Sequence, residues 1–266
     1  MRRQARDRGR TEKIGSSSGS GAREVLLRRV LVGLAPLLLA GCTSSGAPEC
    51  NDYFPVPAGA SWGYREQRQA APGPMLRGVV VESVRSEGGT VEATLRQTVS
   101  SADRPGQAAG TGTTVVRCRD GAIAISVNGS AAGATEGARG TVKADLPGLP
   151  PASRLVPGHT WQSSGKFEAS EGDKSVQTTI SRDSRVEGVF PVESAAGSFP
   201  QALQIDSTET ITLKTPEGDR QARQHIREWY VRGVGLVRRE TRQGGADGPV
   251  IGIEELVESK GVAPAG

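Results

Sequence analysis

Histidine, cysteine and aromatic residues are scarce in this chain of 266 residues, which has two His, three Cys and 4% aromatic residues. A catalytic imidazole needs a nucleophile and an orienting carboxylate beside it, and neither His159 nor His225 stands in a motif that supplies them. Their places in a turn and on a polar strand face predict solvated histidines. Together with the cysteines they form no ligand-spaced cluster. We therefore expect no catalytic residue, no metal and no cofactor.

Apolar runs long enough to cross a membrane are also missing. The uncharged run 30–40 follows Arg28 and Arg29. As a helix it would be about 16 Å long at about 1.5 Å per residue, whereas a bilayer core is about 30 Å thick. A short apolar run after basic residues is typical of a cleaved export signal, which we predict to be residues 1–41.

Leu39, Ala40 and Gly41 precede Cys42 at the end of this run. They resemble the lipobox of bacterial lipoprotein precursors. The resemblance implies that the chain is cut before Cys42 and that this residue is acylated, so that the mature protein is held on a membrane. The alternative is an ordinary secretory signal, with Cys42 a plain thiol.

Residues 1–23 are charged and poor in apolar side chains, although the basic start of an export signal is normally short. Translation from Val25 would give a conventional signal, so the true start is expected near residue 25. Arg28-Arg29 leaves both the general secretory route and the twin-arginine route open. Thr43, where an Asp would disfavour it, favours delivery to an outer membrane in cells that have one. The predicted location is the cell envelope.

Removal of residues 1–41 changes the charge of the protein. This segment holds nine of the 33 Lys and Arg residues and three of the 29 Asp and Glu residues, so the remainder carries a net charge of about −2. Nucleic-acid binding through a basic surface therefore has no support.

Cys50 and Cys118 remain once Cys42 is assigned to lipid. An even pair in an exported protein favours a disulfide, which would stabilise the fold by roughly 4 kcal/mol on the chain-entropy model. Two independent buried thiols are the alternative.

The mature part reads as short β-prone runs separated by Gly, Pro, Asp and Ser, without an extended helical stripe. In 91–99, for example, Val91, Ala93, Leu95 and Val99 share one face and the even positions are polar, as in an antiparallel sheet with one wet face. The predicted strands are 61–68, 76–84, 90–99, 113–119, 122–127, 160–169, 175–186, 202–213, 223–231, 235–242 and 251–257. The Gly, Ala and Pro-rich segments 102–112 and 129–151 are predicted loops.

A short sequence echo suggests a duplication. Residues 56–62 (VPAGASW) recur with one residue fewer as 156–161 (VPGHTW), and each copy precedes a series of strands. A Pro and Gly turn would deliver Trp62 and Trp161 to the start of a strand, where an indole can cap a core. We predict a tether at 42–52, a β domain at 53–259 with alternative halves 53–128 and 152–259, and a disordered tail at 260–266.

Several short motifs carry a further resemblance. Near the start stand Tyr53-Phe54-Pro55, Gly59 and Trp62-Gly63-Tyr64, and near the end Gly197-Ser198-Phe199, Trp229-Tyr230 and residues 233–237 (GVGLV). They resemble segments of uncharacterised bacterial lipoproteins. The resemblance implies an all-β fold with a curved antiparallel sheet or half-barrel, distantly similar to the outer-membrane lipoprotein carrier and receptor families, whose half-barrels hold acyl chains. It transfers no catalytic or binding residue, and the ligand-binding residues stay unknown.

Two other patterns have plain structural interpretations. Gly233-Val234-Gly235 lacks the third glycine of a dinucleotide loop, because position 238 is Arg, and so predicts a β-turn. Arg238-Arg239 and Glu254-Glu255 would place one charge on each face of a strand, which favours solvated edge strands or strand ends.

These observations predict a membrane-anchored, non-catalytic lipoprotein of the cell envelope. Its partners would be the membrane, through the lipid anchor, and either a lipid or hydrophobic ligand or another envelope protein. The alternative is a structural or assembly lipoprotein that acts only through protein–protein contacts.

Overall fold

A computed structural model describes residues 50–69, 71, 73–104, 107–132, 139–146, 148–171, 174–215 and 218–265. Within them the chain forms one short 3-10 turn, Ala152–Arg154, and twelve β-strands. The strands are β1 (Ser61–Arg68), β2 (Met75–Glu87), β3 (Thr90–Ser101), β4 (Ala108–Arg119), β5 (Ala122–Ala132), β6 (Arg139–Leu146), β7 (Thr160–Glu171), β8 (Lys174–Ser194), β9 (Gly197–Thr215), β10 (Gly218–Val231), β11 (Gly235–Gln243) and β12 (Val250–Lys260).

The strands pair in chain order, and β12 pairs with β1, so that the sheet closes into a barrel. The pairing is antiparallel throughout, for example between β2 and β3 and between β8 and β9. The all-β antiparallel prediction is confirmed, with a curvature that continues past a half-barrel to full closure. Closure leaves none of the twelve described strands with an unpaired edge.

The period-two pattern places the core as predicted. Val91, Ala93 and Leu95 on β3 are buried, and so are Val116 on β4 and Ile205 on β9. Inward apolar positions alternate with outward polar ones because neighbouring side chains of a strand point to opposite faces. Few aromatic rings are needed because Val, Leu and Ile supply most of the buried side chains.

Two predicted loops are partly strand. β4 begins at Ala108 inside the predicted loop 102–112, and β5 and β6 occupy 122–132 and 139–146, which overlap the predicted loop 129–151. Gly- and Ala-rich segments have low intrinsic strand propensity. Here the backbone of β6 pairs with β5 on one side and β7 on the other, and this pairing decides the conformation.

The segment from Cys50 to Ala60, before β1, and the segment from Gly148 to His159, before β7, cover the end of the barrel at which β1 begins. We call these two segments the cover and this end of the barrel the covered end. Cys50 is joined to Cys118 by a disulfide with a Cα–Cα distance of 5.5 Å. The Asn51 side chain donates to Gly121 O at 2.9 Å and to Pro150 O at 3.0 Å. The buried apolar side chains of these segments include Tyr53, Val56, Leu149 and Leu155. The disulfide predicted from the sequence therefore fastens the cover to the barrel.

The two copies of the sequence echo enter the barrel in the same way. Gly59 N–H donates to Val81 O at 3.0 Å and Val81 N–H donates back to Ala60 O at 2.9 Å, just before β1. Just before β7, the same two bonds join Gly158 and His159 to Val186, at 2.8 and 3.0 Å. Both glycines have positive φ, +79° and +84°, a conformation that favours glycine. The duplication stays a prediction, and these matched bonds agree with it.

The C-terminal residues differ from the expected disordered tail at 260–266. Lys260 is the last residue of β12, and Ala265 N–H donates to Arg232 O at 3.0 Å beside the turn after β10. A backbone hydrogen bond to the covered end thus holds this segment. Among the residues described, there is no helix with the length and apolar character needed to cross a membrane.

Candidate functional site

The barrel encloses a cavity of about 680 Å³. Ligand pockets for small molecules commonly have about 300–1,000 Å³. The cavity reaches from Leu149 and Val234 at the covered end to Arg68 at the last position of β1. The Arg68 side chain is 65% exposed, so the cavity meets solvent at the end opposite to the cover.

One wall of the cavity is mainly apolar. It is formed by strands β2, β3, β5, β6 and β7 and by the segment that follows β6. Its apolar side chains are Val79, Leu95, Ile125, Val127, Leu146, Leu149 and Trp161. An apolar ligand would exclude water from this wall, which is the favourable contribution to be expected of a hydrophobic site.

The opposite wall carries alternating charges. Six of its side chains form a continuous chain of ion pairs from β9 to β2, which we call the Arg–Glu ladder: Arg77, Glu254, Arg239, Glu228, Arg182 and Glu209. Arg239 lies directly across from Glu228 and from Glu254, and Arg182 from Glu209, in the strand register. Opposite charges at facing positions stabilise neighbouring strands.

In two contacts of the ladder, two N–H groups of one arginine donate to a single carboxylate oxygen. Glu228 Oε1 accepts from Arg239 Nε at 2.8 Å and Nη2 at 2.6 Å, and Glu209 Oε2 accepts from Arg182 Nε at 3.0 Å and Nη2 at 2.7 Å. Arg182 Nη1 lies 3.5 Å from Glu228 Oε2. Gln224 donates to the other oxygen of Glu209 at 2.7 Å. Hydrogen bonds between such charged groups are stronger than those between neutral groups.

The ladder also crosses the line where the barrel closes. Glu254 on β12 accepts from Arg239 Nη1 at 3.0 Å and from Arg77 Nε on β2 at 2.7 Å. The Arg77 guanidinium lies 4.3 Å from the centre of the Tyr64 ring, on β1 between these strands. The ion pairs therefore link the last strand of the chain to the second.

Two carboxyls of the ladder, those of Glu228 and Glu254, stay ionised despite their burial. Burial alone would raise the pKa of Glu228, which is 2% exposed. The charges of Arg239 and Arg182 outweigh burial and hold this pKa below its usual value. For Glu254, Arg77 and Arg239 likewise outweigh burial and lower the pKa. With three Arg and three Glu, the ladder has no net charge.

Two tyrosines line the cavity beside the ladder, with different surroundings. The Tyr64 hydroxyl donates to Leu236 O at 3.2 Å. The Tyr230 hydroxyl makes no side-chain hydrogen bond among the residues that the structure describes, and it is not one of their fully buried unpaired atoms, so it is open to the cavity. Burial, reinforced by the charge of Glu228, raises the pKa of Tyr230 well above its ordinary range, so that the phenol keeps its proton.

Trp161, on the apolar wall, also has an unpaired donor. Its indole Nε1 is buried without a hydrogen-bond partner among the described residues. The corresponding Trp62 of the first echo donates from Nε1 to Val234 O at 2.7 Å. His159 stacks on Trp161, with 5.9 Å between the ring centres.

The predicted lipidation site lies outside the described residues. Cys42 and its lipobox residues Leu39, Ala40 and Gly41 fall there, together with the export signal. Gly233 and Gly235 have positive φ values of 74° and 100° and form the turn between β10 and β11, as the failed dinucleotide motif predicts.

The prediction for the histidines needs correction. His225 is only 7% exposed, and His159 is half-buried. His225 Nε2 lies 3.2 Å from Asp206 Oδ2, and the same carboxylate accepts from Arg227 Nη2 at 2.9 Å. On this outward face, ion-paired neighbours on β9 and β10 replace water around the ring.

The prediction of edge strands for Arg238-Arg239 and Glu254-Glu255 is wrong, although each pair does place one charge on either face. β11 and β12 have neighbours on both sides. Arg239 and Glu254 point inward, where the ladder neutralises them, and Arg238 pairs with Glu255 on the outside.

The ladder and the role of Tyr230 were not predicted from the sequence. The available signal was a charged residue at an inward position of an otherwise apolar strand face, as in Ile226, Glu228 and Tyr230 on β10. A single such residue is ambiguous, because its partner lies on another strand.

A sequence motif typical of a catalytic serine occurs in the described part, but without the conformation that it needs. Gly59, Ser61 and Gly63 match the letters of a Gly-x-Ser-x-Gly nucleophile motif. Such a serine stands on a turn from strand to helix, whereas Ser61 begins β1 and is paired with β2 and β12. No group of three His, Cys, Asp or Glu residues suited to a metal occurs in the portion described.

Comparisons with known proteins agree with the fold. The family described as DUF3108-like matches residues 77–247. A protein of Bacteroides fragilis, described as exported and as having a YmcC-like fold, is 18% identical with a TM-score of 0.59, over 79% of this chain and 100% of that one. A protein of Parabacteroides distasonis, described as a lipoprotein, is 15% identical with a TM-score of 0.60, over 80% and 100%. No curated protein matches the chain.

Proposed function

The chain belongs to the DUF3108-like family, and we propose that it is an exported, lipid-anchored, non-catalytic protein that holds a hydrophobic ligand inside its barrel. One observation carries this proposal: a cavity of about 680 Å³ with an apolar wall meets solvent beside Arg68. The cavity is not closed by its own side chains, so a ligand could replace water against Leu95, Ile125 and Val127.

The anchor would hold the barrel close to the membrane. Cys42 precedes Cys50 by eight residues, a length of at most about 29 Å at about 3.6 Å per residue. Cys50 is bonded to the covered end. Of the two ends of the barrel, the covered end would therefore be the one connected to the membrane by the shorter length of chain. The structural relative described as a lipoprotein supports the anchor.

Replacement of Cys42 by Ala is expected to move the protein from the membrane fraction to the soluble fraction of a bacterial host that acylates lipoproteins. Two or three acyl chains give stable attachment, whereas one alone does not. Mass spectrometry of the wild-type N-terminus should find acyl groups on Cys42. Thr43→Ala, at the neighbouring position, is the matched control and should stay on the membrane. An unmodified Cys42 in membrane-extracted protein would contradict the anchor.

The chain without residues 1–42, purified without detergent, is expected to carry an apolar ligand that native mass spectrometry detects. All twelve strands, the cover and the disulfide lie after residue 49, so this chain contains the whole barrel. Val127→Trp should fill part of the cavity and raise the dissociation constant of the ligand about 10-fold, the effect of roughly 1.4 kcal/mol, and so lower its occupancy. Val189→Trp is the control, because Val189 is 52% exposed and does not line the cavity.

An empty wild-type barrel that also takes up no added amphiphile would contradict ligand binding. Equal occupancy in Val127→Trp and the wild type would place the ligand elsewhere on the protein. The first result would favour the alternative function, that of a structural or assembly lipoprotein that acts through protein–protein contacts.

A further inference from the structure

The Tyr230 hydroxyl is a donor that faces the cavity. The side chain is 5% exposed and lines the cavity, its hydroxyl makes no side-chain hydrogen bond within the described part of the chain, and it is not one of the fully buried unpaired atoms. An acceptor on a ligand could therefore replace water at this hydroxyl without breaking a bond within the protein. The pKa of Tyr230, raised first by burial and then by Glu228, keeps the proton on the phenol. The group can therefore donate to an acceptor in the cavity throughout the physiological pH range.

Trp161, on the other wall, contributes apolar surface to the cavity. Its Nε1 is unpaired among the described residues but fully buried, so a ligand in the cavity does not reach it. The equivalent tryptophan of the first echo, Trp62, has its Nε1 bonded to Val234 O at 2.7 Å. Tyr230 donates, so the ligand must supply an acceptor.

The charges around the cavity restrict what the acceptor can be. Each carboxylate of the ladder already accepts from arginine, and each arginine is paired. The ladder is neutral as a whole, so no uncompensated charge awaits a ligand ion. An ionised head group would be desolvated without a counter-charge, which is strongly unfavourable.

Building on the proposed function, we infer that the ligand is a neutral amphiphile whose carbonyl or ester oxygen accepts a hydrogen bond from Tyr230, while its apolar chain lies on the wall that contains Trp161. Fatty acid anions and alkyl amines are poorer ligands. An ester and an amide would serve equally, because each presents an uncharged carbonyl oxygen.

A set of ten-carbon probes tests this inference on the chain without residues 1–42. Methyl decanoate, decanoate, decylammonium and decane compete with the fluorescent, neutral N-phenyl-1-naphthylamine. The wild type should bind methyl decanoate most tightly. Tyr230→Phe should weaken methyl decanoate about 3- to 10-fold, the usual worth of one net hydrogen bond, and leave decane unchanged. Tyr53→Phe is the matched control, because Tyr53 does not line the cavity and its hydroxyl accepts from Arg232 Nε at 3.1 Å, and it should leave the ester affinity unchanged.

The outcomes separate this inference from the proposed function. Tighter binding of decanoate or decylammonium than of methyl decanoate overturns the inference, and so does an ester affinity that Tyr230→Phe leaves unchanged; in both cases ligand binding itself stands. Displacement by none of the four probes overturns both proposals. The head-group series on the wild type needs no variant, so a folding defect in Tyr230→Phe, visible by thermal unfolding, leaves the test decisive.

Discussion

Replacement of Glu228 by Met is expected to lower the free energy of unfolding by about 3–5 kcal/mol, the usual cost of breaking a buried ion pair from one side. Glu228 is 2% exposed and contacts both Arg239 and Arg182. Its loss leaves three guanidinium groups facing two carboxylates in the cavity. Urea unfolding followed by tryptophan fluorescence measures the change, since Trp62, Trp161 and Trp229 all lie in the barrel.

A double variant distinguishes the cost of leaving a buried arginine unpaired from the cost of losing the ion pair itself. Glu228→Met with Arg239→Met leaves two complete pairs, Arg77 with Glu254 and Arg182 with Glu209. Removing both charges is expected to restore part of the lost stability, because uncompensated burial is what costs most. Glu82→Ala is the surface control: the Glu82–Arg96 pair is about half exposed, and its loss should cost less than about 1 kcal/mol. A Glu228→Met cost no larger than this would refute the role given to the ladder.

Acid is expected to destabilise the fold by protonating the same carboxylates. The pKa values of Glu228 and Glu254 lie below the ordinary 4.5 in the folded protein. Such groups stabilise the fold above their unfolded pKa, and this contribution is lost as the pH falls through the folded pKa. The free energy of unfolding is therefore expected to decline below about pH 4.5, and more gently in Glu228→Met. An equal slope in both proteins would argue against ionised Glu228.

Loss of the Cys50–Cys118 disulfide is expected to lower the free energy of unfolding by about 4 kcal/mol on the chain-entropy model. The bond joins residues 68 apart in the sequence and fastens the cover to the end of β4. Urea unfolding with and without dithiothreitol measures the difference. A Cys50→Ala/Cys118→Ala variant should resemble the reduced wild type and be insensitive to the reductant. Coincident transitions of reduced and oxidised wild type would show that the bond contributes nothing.

Several features of the fold could be predicted because they depend on residues close in sequence. The alternation at 91–99 defines a strand face whatever lies beside it, and the observed β3 buries Val91, Ala93 and Leu95 accordingly. The turn at Gly233 and Gly235 follows from the backbone freedom of glycine. The disulfide followed from the number of cysteines left after Cys42.

Other features could not be predicted because the partner is remote. β6 has a sequence that favours a loop, and it is a strand because β5 and β7 pair with it. Arg239 and Glu254 suggested an exposed edge because the ion pairs of the ladder join residues that are remote in sequence. Arg77, for example, is 177 residues from the carboxylate that it bonds. His225 was predicted to be solvated for the same reason, since its partner Asp206 belongs to another strand.

The sequence by itself determined that this protein is all-β, antiparallel and crosslinked near its start, because side-chain alternation, turn residues and cysteine number are local properties. It also determined the predicted export and anchoring of the chain, which depend on residues 1–42. Only the tertiary structure decided that the sheet closes, since closure depends on the pairing of β12 with β1, almost 200 residues apart. Closure turned inward charges into a neutral ladder and left the Tyr230 hydroxyl facing a cavity, and on that arrangement the ligand proposals rest.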